Sequence, residues 1–68
     1  MNTSILTKRE KDVFLLLIKN KSTKEISKEL NISEKTVRNH VSNAMQKLGC
    51  TGRASAVIEL IKLGELSI

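Results

Sequence analysis

Apolar residues recur at helical spacing along almost the whole chain, and no proline interrupts them. That pattern excludes most folds, because strands need alternation whereas helices need apolar positions three and four apart. It predicts an all-α protein of four helices. The first opens after Thr7, where Thr7-Lys8-Arg9-Glu10 has the form of a capping box, hydroxyl and carboxylate satisfying free backbone N–H groups. Val13, Leu16 and Leu17 then face a core, and the helix ends near Asn20. Ser22-Thr23-Lys24-Glu25 repeats the box for the second, short helix, which carries Ile26 and Leu30 on one face and stops at Asn31. Ser33 caps the third, which runs to Leu48 with Gly49 as its stop. Its apolar stripe is Val37, Val41, Ala44, Met45 and Leu48, while Lys35, Arg38, Asn39, Ser42, Asn43 and Gln46 form a polar face without an acid.

The fourth helix, about Arg53 to Leu63 and closed by Gly64, is apolar around most of its circumference. Ala54, Val57, Ile58 and Ile61 make one apolar face; Ala56, Leu60 and Leu63 make a second beside it. Such a helix needs two partners. One is the domain core, and the other is assigned to the same helix of a second subunit, through Ala56, Leu60 and Leu63. On that reading Leu60→Glu leaves a folded monomer.

Size and composition narrow the function. Sixty-eight residues make one small domain, 1–68, close to the lower limit for folding without staples. A single Cys50 and a single His40 exclude a disulfide pair and a Cys/His metal site, so no cofactor is expected. The lone thiol fits a reducing cytoplasm. No stretch approaches a bilayer span, and Met1-Asn2-Thr3-Ser4 has no basic region before an apolar one, so neither membrane nor export is expected. A net charge of +5 and a pI near 9.7 suit a polyanion. Phe14 is the only aromatic, which argues against the stacking platforms of RNA and single-strand binders and leaves duplex DNA.

The segment 22–49 shows how duplex DNA is met. Only Asn31-Ile32-Ser33 separates the second and third helices, the tight joint of a helix-turn-helix. The third helix, about 34–48, then projects and fits a major groove. Arg38 can pair with guanine, Asn39 with adenine, and Ser42 adds a short hydrogen-bonding group on the same face. Ser33, Lys35 and Thr36 stand at the helix N-terminus, where free N–H groups favour a phosphate. Composition alone also permits a merely solvated polar face. Glu34 suits the helix dipole but repels phosphate, so it is expected to point aside. Arg53 has two open readings, a phosphate contact or a local cap. No nucleophile with a supporting acid accompanies His40, so catalysis is not indicated. Cys50 and Met45 are assigned to packing, and Lys8, Arg9 and Lys11 to solvated surface.

The strings LTKRE (Leu6 to Glu10), TKEIS (Thr23 to Ser27), ISEKTVRNHVSNAMQKLG (Ile32 to Gly49) and GRASAV (Gly52 to Val57) resemble the LuxR/FixJ-type, or GerE-like, DNA-binding domains. The resemblance covers Leu6 to Leu66 and keeps the motifs in order. It implies a four-helix LuxR-type helix-turn-helix domain acting as a sequence-specific transcription regulator, not an enzyme. It implies base contacts at Arg38, Asn39 and Ser42, and phosphate contacts at Thr23, Lys24, Ser33, Lys35, Thr36 and Lys47. His40 stands where the family usually has histidine and joins the backbone contacts. On this reading Lys47→Ala weakens binding to all duplexes alike. The segment 50–68, carrying the fourth helix, becomes the contact of a two-fold homodimer, and RNA polymerase is a further candidate partner. Relatives often have glycine at Asn20 and alanine at Ser27; asparagine tolerates the same left-handed backbone, and serine is still small. The alternative is a protein-interaction module like region 4 of a sigma factor, against which the string Thr36 to Val41 weighs. Members of the GerE-like kind lack a receiver domain, which together with Met1 points to a complete chain regulated by abundance and to a link with sporulation.

Overall fold

The computed structural model describes residues 5–66, so the N-terminal string Met1 to Ser4 lies outside the described residues. Its helices are α1 (Lys8–Ile18), α2 (Thr23–Leu30), α3 (Glu34–Leu48) and α4 (Arg53–Lys62), with no strand among the described residues. The expected starts are all present. Thr7 and Ser22 each accept from the backbone N–H three residues on, and Glu10 and Glu25 reach back to the cap N–H groups at 3.0 and 2.8 Å. Ser33 accepts from Thr36 N–H at 3.0 Å, and the two hydroxyls lie 2.8 Å apart. α4 differs: Gly52 precedes it and offers no side-chain cap.

All four helices end in the same way. Asn20, Asn31, Gly49 and Gly64 take left-handed backbone, with φ of 67, 58, 69 and 76°. At each, the N–H of the left-handed residue and the next N–H turn back onto helix carbonyls. The outer bonds are Lys21 to Leu16, Ile32 to Ser27, Cys50 to Met45 and Glu65 to Leu60. This is the Schellman closure, which satisfies carbonyls that would otherwise lack partners. Asparagine serves at two of these positions because its side chain tolerates this region better than most.

The core centres on α3, which packs against each of the other helices. Phe14, Ile26, Leu60, Val13 and Val37 are its largest fully buried side chains. On α1 the structure differs from the expected stripe. Phe14 is fully buried and Leu17 sits at the margin, because α2 and α3 both pack on α1 and bury a wider arc than one face. Ser27 is buried, and its hydroxyl donates to the Lys24 carbonyl at 2.7 Å, so its polar atom is satisfied locally.

Two of the three α4 residues expected to meet a second subunit, Ala56 and Leu60, lie instead in the core, while the third, Leu63, is exposed. Ala56 and Leu60 are fully buried against the rest of the monomer, whereas Ile58 is 55% exposed and Leu63 49%. Ala56 and Leu60 therefore have no surface left for a second subunit. The small Ala56 lets α4 approach the core, and Leu60 one turn later fills it. Ala54 and Ile58 are exposed on the opposite side, flanked by half-buried Val57 and Ile61. Leu60→Ala is expected to lower stability by about 2–5 kcal/mol, enough to unfold a domain of this size. At a protein concentration where parent and variant are both monomeric, Ile58→Glu is expected to change the unfolding free energy by no more than about 0.5 kcal/mol. Equal losses for the two variants would refute this placement of α4.

Candidate nucleic-acid interface

Capping and packing together aim the polar face of α3 outward. Val37, Val41 and Ala44 are buried, which fixes the rotation of the helix about its axis. Lys35, Arg38, Asn39, Ser42, Asn43 and Gln46 are consequently all exposed. Lys35, Asn39, Ser42 and Gln46 follow each other at four, three and four residues and share the outermost stripe, with Arg38 on its flank. The three residues assigned to bases thus lie on one accessible surface. Gln46 belongs to the same stripe although sequence reasoning gave it no role; its spacing from Ser42 was the available signal.

The residues assigned to phosphates are distributed more unevenly. Ser33 and Lys35 are exposed and Thr36 half-buried at the N-terminus of α3. The Ser33 and Thr36 hydroxyls are engaged with each other and with the cap, which orients them at the helix end. Thr23 is half-buried and Lys24 exposed on the first turn of α2, and Arg53 is exposed at the start of α4. His40 is half-buried on the flank of α3, near enough to Glu10 for its charge to favour the ionised carboxylate. Cys50 is half-buried against the core, its Sγ 3.8 Å from the Leu48 carbonyl, in keeping with a packing role.

Lys47 has a structural partner that the spacing of motifs does not reveal. Its Nζ donates to Glu10 Oε1 at 2.8 Å, and the same oxygen accepts from Thr7 N–H at 3.0 Å. The Glu10 side chain is only 4% exposed. Burial raises the pKa of this carboxyl, but the bonds from Lys47 and Thr7 outweigh it and leave the group below its ordinary value of 4.5. Lys47 is therefore the counter-ion of a buried carboxylate, 37 residues away in sequence, while its own side chain stays 37% exposed. Removing it leaves that carboxylate without its charged partner.

Glu34 is paired within its own helix. Its carboxylate lies 3.8 Å from the Arg38 guanidinium, one turn along the helix, and both side chains are exposed. A pair of this kind contributes about 0.3–0.5 kcal/mol to helix stability. No described helix is long and apolar enough to cross a membrane. Among the described residues, no group of three or more His, Cys, Asp or Glu is placed to hold a metal ion.

Comparison with known proteins agrees with this arrangement. The family profile of the bacterial regulatory proteins, luxR family, matches residues 4–60. The spore germination protein GerE of Bacillus subtilis is 66% identical over 64 residues, covering 94% of this chain and 86% of GerE. The transcriptional regulatory protein DegU of Brevibacillus brevis is 47% identical over 64 residues, but the chain spans only 27% of its length. The solved structure of the transcription factor GerE superposes with a TM-score of 0.91 at 61% identity, covering 94% of this chain and 96% of that one.

Two outcomes are expected from the Glu10–Lys47 pair. Lys47→Met should destabilise the domain by about 1–3 kcal/mol in urea unfolding, the lower end reflecting water access to Lys47. The pH dependence follows from the lowered carboxyl. Its stabilising contribution is complete above the unfolded-state pKa, ordinarily 4.5, and is lost as pH falls through the folded-state value. Glu10→Gln should flatten that acid limb; an unaltered limb would remove Glu10 as its source.

Proposed function

Because the chain belongs to the luxR family of bacterial regulatory proteins, we propose that it is a sequence-specific regulator of transcription that binds double-stranded DNA through the major groove with α3. One observation carries this reading: the six exposed polar side chains of α3 form a continuous hydrogen-bonding surface at the projecting half of a helix-turn-helix. Arg38, Asn39 and Ser42 take the base edges, Arg38 suited to guanine and Asn39 to adenine. Ser33, Lys35, Thr36, Thr23, Lys24, His40 and Arg53 take the phosphates that set register. Lys47 keeps a proton for a phosphate only to the extent that Glu10 leaves one free.

The whole of 1–68 acts as one domain, with no enzymatic role, in the cytoplasm. Two copies join through α4 about a two-fold axis. The surface available is Ala54, Ile58 and Leu63 with the half-buried Val57 and Ile61, not Ala56 and Leu60. An exposed apolar strip on a domain of this size supports an interface between subunits. RNA polymerase is a further partner, met by a surface away from α3. The similarity to a spore germination protein supports a role in sporulation.

Selection from random duplexes near 150 mM salt tests the reading. The expected result is an enriched, two-fold symmetric sequence with half-sites about one helical turn apart. Arg38→Ala should weaken the selected duplex by about 1–3 kcal/mol and relax one base preference, while Lys35→Ala should weaken all duplexes similarly. Identical effects of both variants on every duplex would refute the division between base and phosphate contacts. For the dimer, Ile58→Glu should yield a folded monomer in sedimentation; an unchanged sedimentation profile would refute the α4 interface.

A further inference from the structure

Glu34 is the one acidic residue of α3 and stands on its first turn, the part that enters deepest when such a helix occupies a groove. It is exposed beside Arg38, on the flank of the polar stripe. Its carboxylate lies 3.8 Å from the Arg38 guanidinium. Among the described residues, Lys35, Asn39, Ser42, Asn43 and Gln46 make no side-chain hydrogen bond or ion pair, so Arg38 alone on this surface is tied to an acid.

The tie acts differently on the two targets open to an arginine. A guanidinium has five N–H donors, and two of them satisfy O6 and N7 of guanine. The remaining donors stay available to Glu34, and the base edge brings no net charge. A phosphate brings a full negative charge to the same guanidinium and sets it close to the Glu34 carboxylate. The two anions then repel. At 3.8 Å the contact is loose enough to follow Arg38 towards a base.

We infer that Glu34 is a specificity-determining residue: acting through Arg38, its carboxylate disfavours backbone binding on non-cognate DNA and leaves base reading largely intact. The inference rests on the DNA-reading function proposed above. Specificity is a difference of two affinities, so weakening the wrong complex serves as well as strengthening the right one.

The test uses the full chain and its Glu34→Gln variant, with the selected duplex and a scrambled duplex of equal length and composition, titrated over a salt series. Glu34→Gln should bind the scrambled duplex about tenfold more tightly and the selected duplex less than about threefold more tightly. The salt slope on the scrambled duplex should steepen by about one, the mark of one additional phosphate contact. In an Arg38→Ala background the same change should lose its preference for the scrambled duplex. Equal tightening on both duplexes would reduce Glu34 to a bulk charge and overturn the inference. So would no change on either, a loss confined to the selected duplex, or full persistence without Arg38. Any of these leaves the DNA-reading function standing, whereas a selection that enriches no sequence removes function and inference together.

Discussion

One carboxylate oxygen joins the beginning of the fold to its functional helix. Glu10 Oε1 accepts from Thr7 N–H, which closes the first turn of α1, and from Lys47 Nζ, which comes from the last turn of α3. The Glu10 side chain is nearly excluded from water, while Lys47 reaches it from a partly exposed position. The cap of α1 and the rotation of α3 are therefore coupled. The outward aim of Arg38, Asn39 and Ser42 depends on that rotation, which Val37, Val41 and Ala44 fix from the opposite side.

Around this joint the chain repeats one local solution. Hydroxyl caps begin three helices, and a left-handed residue with paired return bonds ends all four. Connections can then be only a few residues long, and α2 is held directly behind α3. A domain with few buried side chains gains proportionately from such economy, since each satisfied terminal group removes a penalty that its core could not readily offset.

This repetition explains which parts were legible in the sequence. Caps and stops involve residues within five positions of each other, so Thr7–Glu10, Ser22–Glu25, Asn31 and Gly49 could be recognised directly. The polar face of α3 was legible for the same reason, its six residues being opposed to an unambiguous apolar stripe. α4 offered no such contrast. Both of its sides are apolar, and only tertiary packing decides that Ala56 and Leu60 go inward and Ile58 outward. The Glu10 partner of Lys47 was not legible because it lies 37 residues away in sequence. Glu34 and Arg38 are four residues apart, a spacing that permits a pair on one helix face, but the sequence reading did not join them.

Gly52 sets α4 apart, since it leaves the first turn of that helix without a side chain to close it. The first amides of α4 therefore lack the side-chain acceptor that the other three helix starts have. Yet Ala56 and Leu60, one and two turns further along, belong to the core. Loss of α4 would thus uncover the interior, while the caps and stops of α2 and α3 keep their own partners.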